Sequence, residues 1–315
     1  MLEGLKDLFT QSKRILLVTH QDPDGDALGS MVALALVFSQ MGKEVYPVLS
    51  TQVPSCFLFL EGINLLQKGP ERNSDLLIVL DHAESKRSEM GLEILELMSQ
   101  RCSVLIDHHP KGDLWDIAHL NFANPLAAST TEILYFLFQS LEIPINHHVA
   151  TALLTGLLTD TNIFCNSNTT ALSLRIAAHL VSLGAKRGEI IRHVFGGKNS
   201  DVLRLWGRAL SRLRYNKKYS LLVTFLKSED FLECGVPEEA ASGIVNFLNL
   251  NLFGPSLVLL LVERTGKIKG SLRTQKENLD LSQLAQILGG GGHKKAAGFE
   301  VEGQLKSEKG NVFIV

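Results

Sequence analysis

Residues 15–30 read ILLVTHQDPDGDALGS, and the reading of this stretch decides the fold. The run 15–19 is apolar or β-branched and stops at His20. Asp22, Asp24 and Asp26 follow, and beyond Gly25 the apolar positions Met31, Ala35 and Phe38 recur at helical spacing. A buried strand that ends in ligand-type side chains and enters a helix through glycine marks the sheet edge where open α/β folds bind their ligands. One imidazole and several carboxylates, spaced H-x3-D-x-D, suit a divalent cation better than a nucleophile or a nucleotide phosphate.

Outward from this stretch the same grammar repeats. Strand-like runs at 44–49, 76–80 and 104–106 are separated by helical stretches at 27–41 and 88–99, which predicts βαβ units and a parallel sheet. Two of these runs also stop at carboxylates: LLIVLDH at Asp81, and VLIDHHP at Asp107, His108 and His109. After Pro110 the periodicity is helical, at 130–141, 147–158, 169–183 and 187–195, and TALLTGLLTDTN brings Asp160 to a helix end. A single Asp after a strand is ordinarily a cap or turn residue, and His147–His148 reads as a helix start. Four ends rich in Asp and His exceed what capping needs. In a parallel sheet the first three fall on one edge. So many carboxylates together repel one another and raise their pKa values unless cations intervene. Oxygen ligands with a minority of imidazole favour Mn²⁺ or Mg²⁺ over zinc.

The chain has 315 residues, enough for two domains, and its net charge of −2 excludes a strongly basic nucleic-acid coat while allowing a local basic groove. Cys56, Cys102, Cys165 and Cys234 are isolated, so neither a zinc knuckle nor a disulfide framework is indicated, and a reducing compartment is favoured. The start, MLEGLKDLFTQSKR, reads as an amphipathic helix of mixed charge rather than a secretion signal. The longest apolar runs fall far short of the roughly 20 residues that span a bilayer. A cytoplasmic location and no membrane partner are expected.

From Tyr219 the pattern changes to strands at 221–226, 256–262 and 267–272, a helix at 281–288, the run GGGGHKKAAGF and a last strand at 311–315. The expected division is a first domain over 1–190, a helical linker over 191–214 and a second domain over 215–315. A glycine run alone is ordinarily a hinge. Here it leads into His293, Lys294 and Lys295, and backbone N–H groups beside cations suit a phosphate. Lys269, Lys294 and Lys295 read as solvated charge. Arg273 offers the planar, bidentate contact to phosphate that lysine cannot copy.

Taken together, H-x-DPDGDA-x-GS, the D-H after the third strand, the DHH at 107–109 and the T-D-T at 159–161 resemble the four motifs of the DHH phosphoesterase family. GGGGHKKAAGF resembles the family's substrate-binding DHHA1 domain, and the likeness runs through the whole chain in the expected order. The compact bacterial branch is the nearest in pattern: nanoRNases, 3′-phosphoadenosine 5′-phosphate (pAp) phosphatases and cyclic-dinucleotide phosphodiesterases. The resemblance implies an α/β fold, with an N-terminal parallel-sheet DHH domain linked by a helix to a smaller mixed-sheet α/β DHHA1 domain. It implies two Mn²⁺ ions, or Mg²⁺ in their place. His20 and Asp24 would hold one, Asp26, His108 and Asp160 the other, and Asp81 would bridge both. His109 would face the substrate phosphate, with Asp107 supporting it as a second catalytic group. Ser271, Arg273, Gly290, Gly291, Gly292 and His293 would bind substrate.

The expected activity is hydrolysis of short oligoribonucleotides (nanoRNA) or pAp. The rivals are a phosphodiesterase of cyclic-di-AMP or of linear dinucleotides, a weaker case for inorganic pyrophosphatase, and an inactive nucleotide-binding sensor. Short RNA, pAp or dinucleotides are thus the expected partners, and the apolar helices after Pro110 are compatible with a homodimer. Asn162 departs from the family pattern, which commonly has Gly after T-D-T, and it flanks the metal motif.

Overall fold

Apolar runs that alternate in facing direction build a six-stranded parallel sheet in the first of two units, Met1–Gly197; the second is Lys198–Val315. The structure is a computed structural model and describes residues 1–69, 73–85, 91–196, 199–252, 254–308 and 311–315. The first unit runs α1 (Leu2–Gln11), β1 (Arg14–Val18), α2 (Gly25–Gln40), β2 (Glu44–Leu49), β3 (Gln67–Lys68) and β4 (Leu76–Leu80). It continues through α3 (Gly91–Gln100), β5 (Cys102–Asp107), β6 (Leu120–Ala123), α4 (Thr130–Ser140), α5 (His147–Asp160), α6 (Ala171–Ser182) and α7 (Arg187–Ile190). The expected helix at 88–99 is described from Gly91 onward, and 88–90 lie outside the described residues. The helix expected over 187–195 is α-helical only to Ile190 and continues as a π-helical turn, Ile191–Phe195.

The sheet order is β3-β2-β1-β4-β5-β6, so the chain reverses its direction of travel between β1 and β4. In open parallel sheets the crevice beyond the strand ends at such a reversal is where ligands bind. Strand alternation sends Ile15, Leu17, Ile78, Leu80, Val104 and Ile106 into one core with α2, α4 and α5. Leu16, Val18, Leu77, Val79 and Leu105 enter a second core on the other face, with Ile94, Leu97 and Met98 of α3. Both faces are therefore covered, as the near-continuous apolar strands require. Asp24 starts α2 by accepting hydrogen bonds from the N–H groups of Asp26 and Ala27.

The second unit comprises α8 (Ser200–Ser211), β7 (Arg214–Asn216), β8 (Leu221–Leu226), α9 (Ser228–Cys234), α10 (Ile244–Asn251), β9 (Leu257–Arg264) and β10 (Lys267–Arg273). It ends with α11 (Leu281–Ile287), β11 (Gly291–His293), β12 (Ala296–Glu302), β13 (Leu305–Glu308) and β14 (Asn311–Ile314). Its main sheet, β11-β12-β10-β9-β8-β7, is mixed: β8 and β9 run parallel and the other pairs antiparallel. Helix α8 and the helices α9 and α10 cover one face around Leu222, Leu260 and Val262, while α11 covers the other around Leu272 and Phe299. Among the described residues, no helix is long and apolar enough to cross a membrane.

Asp230 shows how charge holds this unit together. Its carboxylate, 2 % exposed, accepts hydrogen bonds from Arg208 (3.0 Å), from Arg212 (2.8 Å) and from the N–H of Lys227 (2.7 Å). Burial opposes the charge, but Arg212, Lys227 N–H and Arg208 outweigh it and hold the carboxyl below its usual range. Its contribution to stability is therefore complete above the unfolded value near 4 and is lost as pH falls through the lower folded value. Asp230→Ala should cost about 2–3 kcal/mol in urea unfolding at neutral pH, and less at pH 3. The figure sits below the roughly 3–5 kcal/mol of a broken buried pair because both arginines keep solvent contact.

Candidate active site

Five carboxylates and three imidazoles meet beyond the carboxyl ends of β1, β4 and β5, with Asp24 and Asp26 at the start of α2 and Asp160 at the end of α5. His20 follows β1, Asp81 follows β4, Asp107 closes β5 with His108 and His109 just after it, and Asp160 is the last residue of α5. Asp81 sits at the centre, 1 % exposed. Its Oδ2 is 3.6 Å from His20 Nε2, and its Oδ1 is 3.6 Å from His108 Nε2 and 3.4 Å from His109 Nδ1. The residue adopts φ 54°, a left-handed conformation that costs energy outside glycine, asparagine and aspartate. That turn ends the strand and aims the carboxylate into the crevice, a form of strain common at functional positions.

Asp81 is common to three groups of possible ligand atoms. His20, Asp24 and Asp81 offer ligand atoms within 4.8 Å of one another, and so do Asp26, Asp81 and His108. Asp160 joins through His108, with Oδ2 3.0 Å from Nε2. A third group consists of Asp81, Asp107 and His109. Asp107 Oδ1 accepts from His109 N–H at 3.1 Å and lies 2.8 Å from His109 Nδ1. Its other oxygen is buried and receives no hydrogen bond from the described residues.

The electrostatics show what the donor set lacks. Loss of solvent around its carboxyl, then the charges of Asp81 and Asp160, push Asp24 up to about 6, although the residue as a whole keeps exposed surface. Burial and the same two neighbours drive Asp26 well above the usual range. Burial disfavours the charged form of His109, but the hydrogen bonds its ring donates to Asp107 and Asp81 outweigh it and push the ring up to about 10. His108 is likewise raised, by Asp160 and Asp81 against burial. Protein atoms alone thus balance the cluster only by keeping protons on it. Divalent cations would supply the missing positive charge, and the oxygen-rich donor set with an orphaned Asp107 oxygen fits them.

Asp160 lies at a helix C-terminus, where the helix dipole disfavours a carboxylate. The backbone past it is held from outside, because the side-chain amides of Asn166 and Asn168 donate to Asp160 O at 2.9 and 3.4 Å. Asn162, Ile163 and Phe164 then all take positive φ, 48°, 54° and 63°. Asparagine tolerates that region, which is why it can stand where glycine is usual. Thr130 and Thr131 join the site without a signal in the sequence. They open α4 and donate to Asp26 and Asp81, and a T-T at a helix start signals only capping.

The candidate substrate residues lie in the second unit. Across β10, β12 and β11, Ser271 aligns with Gly298 and Gly291, and Arg273 aligns with Ala296 and His293. Residues in register and two apart share a face, so Ser271, Arg273 and His293 point the same way over a floor of small residues. Arg273 is half-buried. Its Nε donates to Asn246 Oδ1 at 2.7 Å and one terminal nitrogen donates to Leu272 O at 2.8 Å. Among the described residues no carboxylate pairs with it, and loss of solvent around its guanidinium pulls its pKa down to about 10. Gly290 has a backbone reason to be glycine, since a Cβ there would lie 2.1 Å from Gly298 O.

The model of the DHH family, N-terminal domain, matches residues 14–157, and that of the DHHA1 domain matches 218–312. The chain is 32 % identical over 295 residues to the bifunctional oligoribonuclease and PAP phosphatase NrnA of Thermus thermophilus, a match covering 92 % of this chain and 84 % of that one. It is 25 % identical over 182 residues to a probable manganese-dependent inorganic pyrophosphatase of Streptococcus mutans, covering 54 % of this chain and 55 % of the other. In three dimensions it is similar to an exopolyphosphatase-related protein from Bacteroides fragilis, with a TM-score of 0.88 and 25 % identity over 98 % of this chain and 92 % of that one.

Proposed function

Because the chain belongs to the DHH family of metal-dependent phosphoester hydrolases, we propose that its substrates are short oligoribonucleotides and pAp, cleaved with a pair of divalent cations, Mn²⁺ first among them. The observation that carries the substrate class is that the likeness to the Thermus oligoribonuclease and PAP phosphatase spans 92 % of the chain, whereas that to the pyrophosphatase spans 54 %. The second unit is therefore part of the likeness that bears on substrate.

His20 and Asp24 would hold one cation, Asp26, His108 and Asp160 the second, and Asp81 both. Bound there, the cations supply Lewis-acid charge for the phosphoryl oxygens and lower the pKa of water at neutral pH. The chain's own residues do the rest. Asp107 holds the proton on His109 Nδ1, so a proton given to a leaving oxygen comes from Nε2. Arg273 has five N–H donors, and its hydrogen bonds to Asn246 and Leu272 leave others for a non-reacting phosphate. Ser271 and His293, on the same face, would complete that grip, with Gly290, Gly291 and Gly292 leaving room beside it.

The test is a side-by-side assay with Mn²⁺ on pAp, RNA of two to five nucleotides, a cyclic dinucleotide and pyrophosphate. Phosphate release from pAp and mononucleotide release from the RNA should dominate. Faster cleavage of the cyclic dinucleotide or of pyrophosphate would overturn the assignment.

A further inference from the structure

Asp26 lies in the first turn of α2 and Asp81 follows β4, yet both are held by one helix start. The N–H of Thr130 donates to Asp26 Oδ2 at 2.6 Å, and its hydroxyl donates to Asp81 Oδ1 at 2.9 Å. Thr131 donates to Asp26 Oδ1 twice, from its N–H at 3.0 Å and from its hydroxyl at 2.8 Å. The Thr131 hydroxyl lies 2.8 Å from Ser129 Oγ, and Ser129 Oγ accepts from Glu132 N–H at 3.0 Å. The donor chain therefore runs from Ser129 through Thr131 to Asp26. All three hydroxyl residues are buried, Ser129 and Thr130 at 0 % exposure. From the opposite side Gly156 of α5 lets Asp26 in, since a Cβ there would lie 2.5 Å from Asp26 Oδ1 and 2.6 Å from Thr131 Oγ1.

We infer that Thr130 and Thr131 are positioning residues that fix the spacing and rotation of the Asp26 and Asp81 carboxylates, so that the two donor groups are set before a cation arrives. The inference rests on the metal reading proposed above and adds to it the residues that make the site rigid. Three donors occupy Asp26, two on Oδ1 and one on Oδ2, which leaves one of a carboxylate's roughly four lone-pair directions, on Oδ2, for a cation. Thr130 touches both carboxylates, so its hydroxyl ties the shared ligand to the group built on Asp26. Partners behind metal ligands of this kind are typically worth tenfold to a hundredfold in affinity.

The experiment is calorimetric titration of Mn²⁺ into metal-stripped full-length protein, with thermal unfolding measured in parallel. Thr130→Val keeps the shape and removes the donor to Asp81, and should weaken Mn²⁺ binding by about tenfold to a hundredfold. Thr130→Ser restores the hydroxyl and should bind within about threefold of wild type, the margin left for a lost methyl contact. Thr131→Val removes one donor to Asp26 and should weaken binding in the same direction, so it decides the matter if Thr130→Val does not fold. Lowered thermal stability with wild-type Mn²⁺ affinity in both valine variants would overturn the inference and leave the metal reading standing. A wild type that binds no Mn²⁺ would overturn both.

Discussion

Asp81→Asn should abolish phosphoester hydrolysis, a fall of roughly 10³-fold or more in kcat/KM, while the protein stays folded. Asparagine is the informative replacement. It tolerates the φ of 54° that alanine would adopt at a cost, and its amide oxygen can still accept from the Thr130 hydroxyl. What it removes is the charge common to both donor groups. Mn²⁺ stoichiometry should therefore fall at both positions in Asp81→Asn, but only at one in Asp24→Asn. Two equivalents bound with wild-type affinity in Asp81→Asn would show that Asp81 is not the shared ligand.

His109→Ala should behave differently, keeping its cations and losing roughly 10²–10⁴-fold in kcat, the scale of a group that moves a proton or steadies developing charge. The contrast follows from geometry: His109 Nδ1 is committed to Asp107 at 2.8 Å, an arrangement that orients a ring for work at its other nitrogen. A group that must carry a proton loses its function as pH rises through its folded pKa. That value is about 10 with Asp81 uncompensated, and lower once a cation engages Asp81. The alkaline fall in kcat of the wild type should thus vanish in His109→Ala. Equal loss of Mn²⁺ and of activity would make His109 a ligand instead.

The sequence exposes those features that are local. The runs at 44–49, 76–80 and 221–226 coincide with β2, β4 and β8 because each is a short apolar block ended by a polar or turn residue. The α/β class and the parallel first sheet follow from the spacing of such blocks by helices. Strands β6, β7 and β12 carry no such block: LNFA and RYN are short edge segments, and AAGFEVE mixes small and charged residues, so their own residues do not announce a strand and the pairing rests on the neighbours β5, β8, β10 and β11. The helices α9 and α10, seven and eight residues long, offer little periodicity to read. At the candidate site, Asp and His stand out as residue types, and their placement at strand and helix ends is visible in the chain. The roles of Thr130 and Thr131 are not, because their partners lie 49 to 105 residues away and a hydroxyl at a helix start has a sufficient local explanation. Nor does the sequence disclose the left-handed turn at Asp81, which the end of β4 imposes.

Dependence on bound divalent cations is the property of this cluster of carboxylates and imidazoles on which every proposed role turns. The direct measurement is phosphate release from pAp by wild-type protein stripped with chelator, before and after Mn²⁺ is returned. No release before and full recovery after is the predicted result. Undiminished release from protein shown by elemental analysis to hold no metal would contradict it.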